Sequence, residues 1–211
     1  MKRNLLTLSI LTLLTTGCIP KASPNVAQNR VPDVTNTVQP TPHTLVSSSA
    51  NRPTQNNVLA STVYHKFQTV QGSQITIGEH PAGFVFPDYQ GKVVLLQIFG
   101  KECPHCFKEI PMINQLRSKF GGRLQIVAIQ AQEPMSKSTA NKLINRFHMD
   151  YPIMEKAEAS NILYFLKHTY NWRGILPYGI LIKDGIIEYT FKGESDPSVI
   201  AEMEEIIQGL L

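Results

Sequence analysis

Residues 91–116 read GKVVLLQIFGKECPHCFKEIPMINQL, and the fold turns on how this stretch divides. Lys92–Phe99 is an unbroken apolar run rich in β-branched and aliphatic residues, introduced by Gly91; such a run suits a strand buried on both faces. From Cys106 to Phe120, residues Phe107, Ile110, Ile113, Leu116 and Phe120 recur near helical spacing, and Gly121-Gly122 closes the pattern. Cys103, Pro104, His105 and Cys106 occupy the junction. There the first N–H groups of the helix are unpaired and its dipole is positive, so a thiolate at Cys103 is favoured. Pro104 fits the first helical position, where its missing N–H costs nothing. Cys106 lies a turn deeper and is expected to be less exposed. Cys103 is therefore the expected attacking thiolate and Cys106 the resolving thiol. His105 adds a donor or positive charge near the Cys103 sulfur, which favours the reduced form and makes the disulfide more oxidising. Lys101 acts in the same direction and Glu102 against it. The competing reading of His105 is a solvated residue at a helix start.

Three other readings of the cysteine pair stand beside this one. A structural zinc site needs four ligands, but there is no second cysteine pair, and His43, His65, His80, His148 and His168 show no ligand spacing. Covalent haem attachment needs histidine after the second cysteine, where Phe107 stands. A permanent crosslink would close a very short loop, which gains the least from chain entropy.

Outward from the junction, Leu124–Gln130 reads as a second buried strand, Ser136–His148 as a helix with Leu143, Ile144 and Phe147 inward, and Ala157–Tyr170 as another helix. Tyr178–Lys183 and Ile186–Phe191 flank Lys183-Asp184-Gly185, a hairpin signal. Ser195 or Asp196 can cap a final helix that has Pro197 at its first position. A weaker alternation over Ser73–Ile77 suggests one more strand. The order strand–helix–strand–helix, then strand–strand–helix, predicts an α/β fold: a mixed β-sheet with helices on both faces and a parallel crossover in its first half.

Composition separates this part from what precedes it. None of the Phe, Tyr and Trp residues comes before Tyr64, and residues 66–211 carry 15 Lys+Arg against 15 Asp+Glu. The net charge of +4 over the 211 residues thus arises in the N-terminal third. With no basic stripe and no base-stacking aromatic pattern, nucleic-acid binding is not expected. Residues 1–18, MKRNLLTLSILTLLTTGC, have the plan of a secretory leader: Lys2 and Arg3, an apolar core too short to span a bilayer, then small residues. The leader ends at Cys18 and resembles a bacterial lipoprotein signal, with Gly17 before the cysteine that would be lipidated; Thr15 stands where that signal usually has Leu. Lipidation would account for the one cysteine outside the close pair. Residues 19–62 hold six prolines and twenty Ser, Thr, Asn or Gln without an aromatic residue, the composition of a tether rather than a core. A flexible chain of this length spans roughly 35–40 Å. The expected organisation is a leader at 1–17, a tether at 18–63 and a globular domain at 64–211.

With these residues in hand, the stretch from about 64 to 211 resembles the thioredoxin superfamily, and within it the TlpA-like thiol-disulfide oxidoreductases of the bacterial envelope. The opening stretch is similar to that family's strand–active-site–helix core, with Glu109 and Pro111 where the family has a Glu and a helix-kinking Pro. Residues 170–193, YNWRGILPYGILIKDGIIEYTFKG, resemble its cis-proline loop and hairpin. The resemblance implies that Pro177 is the cis-proline that packs beside the sulfurs and presents backbone to the client, and that Gly193 is the glycine after the last strand. There are departures. Glu102 replaces the usual Trp. Gln97 stands where thioredoxins often bury a carboxylate, and an amide cannot act as a general base. One extra residue lies between Arg173-Gly174 and Pro177. The Pro-His dipeptide resembles that of DsbA-type disulfide donors, whose helical insertion is not seen here.

The expected function is a lipid-anchored envelope oxidoreductase, with no bound cofactor, that exchanges disulfides with cysteine-containing secreted clients and a membrane redox partner, with its net direction open. The alternative is a non-enzymatic lipoprotein that keeps the fold to dock a partner, a reading favoured by Glu102 and Gln97.

Overall fold

A computed structural model of the chain describes residues 61–193 and 196–211. The leader, Cys18, the tether up to residue 60 and the candidate cap Ser195 lie outside the described residues. The apolar run of the opening stretch becomes β4 (Val93–Phe99), the central strand of a five-stranded sheet. It pairs in parallel with β5 (Leu124–Gln130), Leu96 opposite Val127, and antiparallel with β7 (Tyr178–Lys183), Leu96 opposite Ile180. Strand β6 (Ile153–Glu155) extends the sheet beyond β5, and β8 (Ile186–Lys192) beyond β7. Every residue of β4 is buried. A strand with neighbours on both edges and helices or strands over both faces has no wet side, so its sequence does not alternate. Between β7 and β8, Asp184 (φ 50°) and Gly185 (φ 84°) adopt the left-handed backbone of a tight hairpin.

Helix α1 (Pro104–Phe120) forms the crossover between β4 and β5, followed by α2 (Lys137–Phe147), α3 (Ser160–Thr169) and α4 (Pro197–Leu210). Their ends follow local chemistry. The Ser136 hydroxyl accepts the Thr139 N–H at 3.0 Å, and the Asp196 carboxylate accepts the N–H groups of Ser198 and Val199 at 2.8 and 3.1 Å. On one face of the sheet, Val93, Leu95 and Phe99 pack under Ile110, Ile113 and Leu116 of α1 and Val199, Met203 and Ile207 of α4, with Leu143, Ile144 and Phe147 of α2 at the margin. On the other, Val94, Leu96 and Ile98 meet Ile162, Leu163 and Leu166 of α3. The expected mixed sheet with helices on both faces is the one observed.

That second face is also covered by a separate antiparallel sheet: β1 (Val63–Gln68), β2 (Gln74–His80) and β3 (Gly83–Val85). The strand expected over Ser73–Ile77 is β2, three residues longer at its far end and outside the main sheet. Strands β1, β3 and β6 were not expected. Two of them have only three residues, too short to show a period, and β1 buries only Phe67. Helix α3 begins at Ser160 rather than Ala157, because residues 156–159 form the turn that enters it. No helix among the described residues is long and apolar enough to cross a membrane.

Candidate active site

The loop from β4 to α1 is held from the side by the segment after β5. The Ala131 N–H donates to the Phe99 carbonyl at 2.9 Å, and the Gln132 side-chain carbonyl accepts the Glu102 N–H at 2.8 Å. Gln130, fully buried at the end of β5, accepts the Gln132 N–H at 2.6 Å and so sets that clamp. A Cβ at Gly100 would lie 2.4 Å from Gln132 Cδ, so a side chain there would push the Gln132 amide away from the Glu102 N–H. Lys101 points its ammonium at the Pro134 carbonyl (3.3 Å) and at Glu102 (3.7 Å).

Cys103 is the N-cap of α1, extended at φ −115° and ψ 96°. Its Sγ accepts the backbone N–H of Cys106 at 3.2 Å, and its carbonyl accepts the Phe107 N–H at 3.2 Å. The sulfur therefore takes the place of the oxygen of a serine or aspartate cap, in the positive field of the helix start. Cys103 and Cys106 are joined as a disulfide with Cα atoms 5.3 Å apart. Cys106 is fully buried and Cys103 is 7% exposed, while Pro104 at the first helical position and His105 lie on the surface. Among the described residues, no three His, Cys, Asp or Glu cluster as metal ligands.

The Leu176–Pro177 peptide bond is cis. Tyr178 pairs with Ile98 at the carboxyl end of β4, which brings Pro177 to the end of the sheet from which the Cys103 loop leaves. Pro177 is buried, and its carbonyl accepts the N–H of Gly193 (φ 82°) at 2.9 Å. Leu176 packs against both halves of the core, one of which contains the two cysteines.

Beneath α1, on the face of β4 that also carries Phe99, lies a group of buried polar side chains. Gln97 and Glu109 are fully buried and Tyr151 nearly so. The Tyr151 hydroxyl donates to the Gln97 Oε1 at 3.5 Å, and the Gln97 Nε2 has no hydrogen-bond partner among the described residues. Burial pushes the Tyr151 phenol well above its usual range; the Arg117 guanidinium opposes this and the Glu109 and Asp150 carboxylates reinforce it. Sequence reasoning placed Glu109 by resemblance but gave it no task, and it missed Tyr151 and Gln132. Glu109 could have been found from the pattern, as a carboxylate on the apolar stripe of Cys106, Ile110 and Ile113. Gln132 and Tyr151 reach the site from elsewhere in the chain and leave no local mark.

The chain matches no protein-family model. Among curated proteins it is similar to the thiol-disulfide oxidoreductase ResA of Halalkalibacterium halodurans, 27% identical over 143 residues that span 62% of this chain and 77% of the relative. ResA of Geobacillus thermodenitrificans is 29% identical over 107 residues, 46% of this chain and 60% of the relative. Among solved structures, a thioredoxin-like protein of Neisseria meningitidis superposes with a TM-score of 0.54 at 19% identity, covering 70% of this chain and 89% of the other. A DsbE-like protein of Chlorobium tepidum gives 0.53 at 17%, covering 70% and 93%. Together with the thioredoxin fold and the active-site-like disulfide, these similarities support a thioredoxin-superfamily domain of the thiol-disulfide oxidoreductase type. They do not single out the TlpA-like lipoproteins within it.

Proposed function

We propose that the chain is an envelope thiol-disulfide oxidoreductase, anchored by lipid on Cys18, that exchanges disulfides with secreted client proteins through Cys103 and Cys106. One observation carries this reading: the Cys103 sulfur caps α1 and accepts the Cys106 N–H. On the thiolate, this contact becomes a charge-assisted hydrogen bond and lowers the cost of ionisation. In the reducing direction, the Cys103 thiolate attacks one sulfur of a client disulfide and the other client sulfur leaves as a thiolate. Cys106, once deprotonated, attacks the Cys103 sulfur and expels the client. Two electrons pass to the client, and the protein is left with its own disulfide. The proton of Cys106 needs an acceptor, which Gln97 cannot be. Glu109 follows one helical turn after Cys106 and is equally buried, and it takes that role. Pro177 and Leu176 form the wall against which the client backbone lies. The leader and tether composition support anchoring and an envelope location.

Replacing Cys106 by serine tests this. The variant should accumulate clients on Cys103 as mixed disulfides that a reductant releases, whereas a docking protein with an inert crosslink would trap none. The reduction potential sets the direction: a value near about −120 mV marks a disulfide donor, and one near about −270 mV a reductant.

A further inference from the structure

A groove lies next to the loop that positions Cys103. It is a hollow of about 420 Å³ whose walls include Leu163 and Lys167 of α3, Lys156 of the turn before it, and Trp172, Arg173 and Leu176 of the segment leading to Pro177. The groove is continuous with the Cys103 loop. It shares Ala131 and Lys156 with an adjoining hollow lined by Lys101, Glu102 and Gln132, the residues that position Cys103. Its floor is built rather than incidental. The Trp172 indole donates to the Ile175 carbonyl at 3.0 Å, and its backbone N–H donates to the Leu166 carbonyl at 3.1 Å.

Two properties point to an occupant. First, the walls carry three cations and no carboxylate, although residues 66–211 as a whole balance 15 basic against 15 acidic side chains. Lys156, Lys167 and Arg173 are all exposed, and none is ion-paired among the described residues. Of the acidic side chains around it, Glu158 accepts the Gln68 N–H at 2.6 Å, Glu155 accepts from Gln130 and Met135, Glu102 pairs with Lys101, and Glu133 lines the adjoining hollow rather than this one. Second, apolar surface is exposed at the groove and next to it: Tyr164, which lines it, is 67% accessible, and Ile175, between the lining residues Gly174 and Leu176, is 48% accessible, two of the five large hydrophobic side chains left exposed among the described residues. Cations gathered around an apolar floor complement a segment bearing acidic side chains beside an apolar or aromatic one.

We infer that this groove selects client segments in which the reactive cysteine is flanked by acidic residues and one apolar or aromatic side chain. The inference rests on the exchange function proposed above and names its substrate class. The three cations raise the encounter rate and fix the register of the segment, while Trp172 and Leu163 hold its apolar side chain.

The test uses the full-length protein, reduced and held in a non-ionic detergent. Its substrates are short peptides, each with one cysteine in disulfide linkage to thionitrobenzoate. Attack by Cys103 joins the peptide sulfur to Cys103 and releases thionitrobenzoate, which is read by absorbance. A peptide flanked by Glu, Asp and one Phe should react about tenfold faster at low salt than one flanked by Lys and the same Phe, and salt should erase the difference. The triple variant Lys156→Gln, Lys167→Gln, Arg173→Gln should abolish the preference. The charge-conserving Lys156→Arg, Lys167→Arg, Arg173→Lys should keep it. Neither set should alter the rate with 4,4′-dithiodipyridine, a small neutral disulfide. If dithiodipyridine reacts readily and the two peptides react alike, or the Lys peptide reacts faster, or the triple variant keeps the preference, the groove assignment is wrong and the exchange function stands. If dithiodipyridine fails to react as well, both fall.

Discussion

Single residues decide how the sulfurs could work. Glu109 and Gln97 are both fully buried under α1, but only the carboxylate can hold the proton that Cys106 must lose. Glu109→Gln should therefore slow the resolution of a Cys103 mixed disulfide by about a hundredfold at neutral pH. The deficit should narrow as pH rises past about 8.5, where a thiol ionises unaided. The thermal midpoint should not fall, because an amide costs less to bury than a carboxylate. Stopped-flow kinetics of resolution across pH would check this, and a wild-type rate at every pH would remove Glu109 from the mechanism. The cysteine pair and its proline were legible in the sequence because their chemistry is local: two thiols at a strand-to-helix boundary. Gln132, which holds Glu102 from 30 residues away, and Tyr151, which reaches Gln97 across 54, were not.

At the scale of elements, the helices and long strands were legible and the short strands were not. Ser136 and Asp196 cap α2 and α4 as their residue types suggest, because a cap is a contact over two or three residues. Strand β6 has three residues and exists because β5 offers a free edge, which is information outside its own sequence. The β7–β8 hairpin carries a constraint its turn does not reveal. Gly179 of β7 lies against the buried ring of Phe191 in β8, and a Cβ there would sit 1.8 Å from Phe191 Cζ. Gly179→Ala should destabilise the domain by about 1–3 kcal/mol or more through overpacking. Gly122→Ala, where a Cβ would meet nothing within 4 Å, serves as the comparison. Urea denaturation of the two variants distinguishes them; equal midpoints would mean that the hairpin opens to accept a methyl group.

Across the whole molecule, the small sheet is fastened to the main one by contacts between distant segments. The Tyr170 hydroxyl, just beyond α3, donates to the Pro81 carbonyl between β2 and β3 at 3.1 Å. Burial first, and then Tyr178, pushes the Tyr170 phenol up to about 12. A tyrosine in the unfolded chain ionises near about 10. Between these values the folded state holds a proton that the unfolded state has released, so this contribution to stability is intact below pH 10 and is lost as pH rises through 12. Tyr170→Phe should flatten the decline of unfolding free energy over that range and cost about 1 kcal/mol at neutral pH from the lost hydrogen bond. Denaturant titrations from pH 7 to 12 measure both effects. An unchanged slope would assign the alkaline loss to other groups.

By itself the sequence determined the order of the major elements, the mixed sheet and the sulfur pair at the start of α1. Each depends on periodicity, capping or turn chemistry within a few residues. Only the tertiary structure decided that a second sheet covers one face, that the buried Tyr151 reaches Gln97 and feels the Glu109 carboxylate, and that three cations line one groove with Leu176. These arrangements join segments far apart along the chain. Burial and electrostatic coupling depend on distance in space, and the core brings those segments together only when it closes.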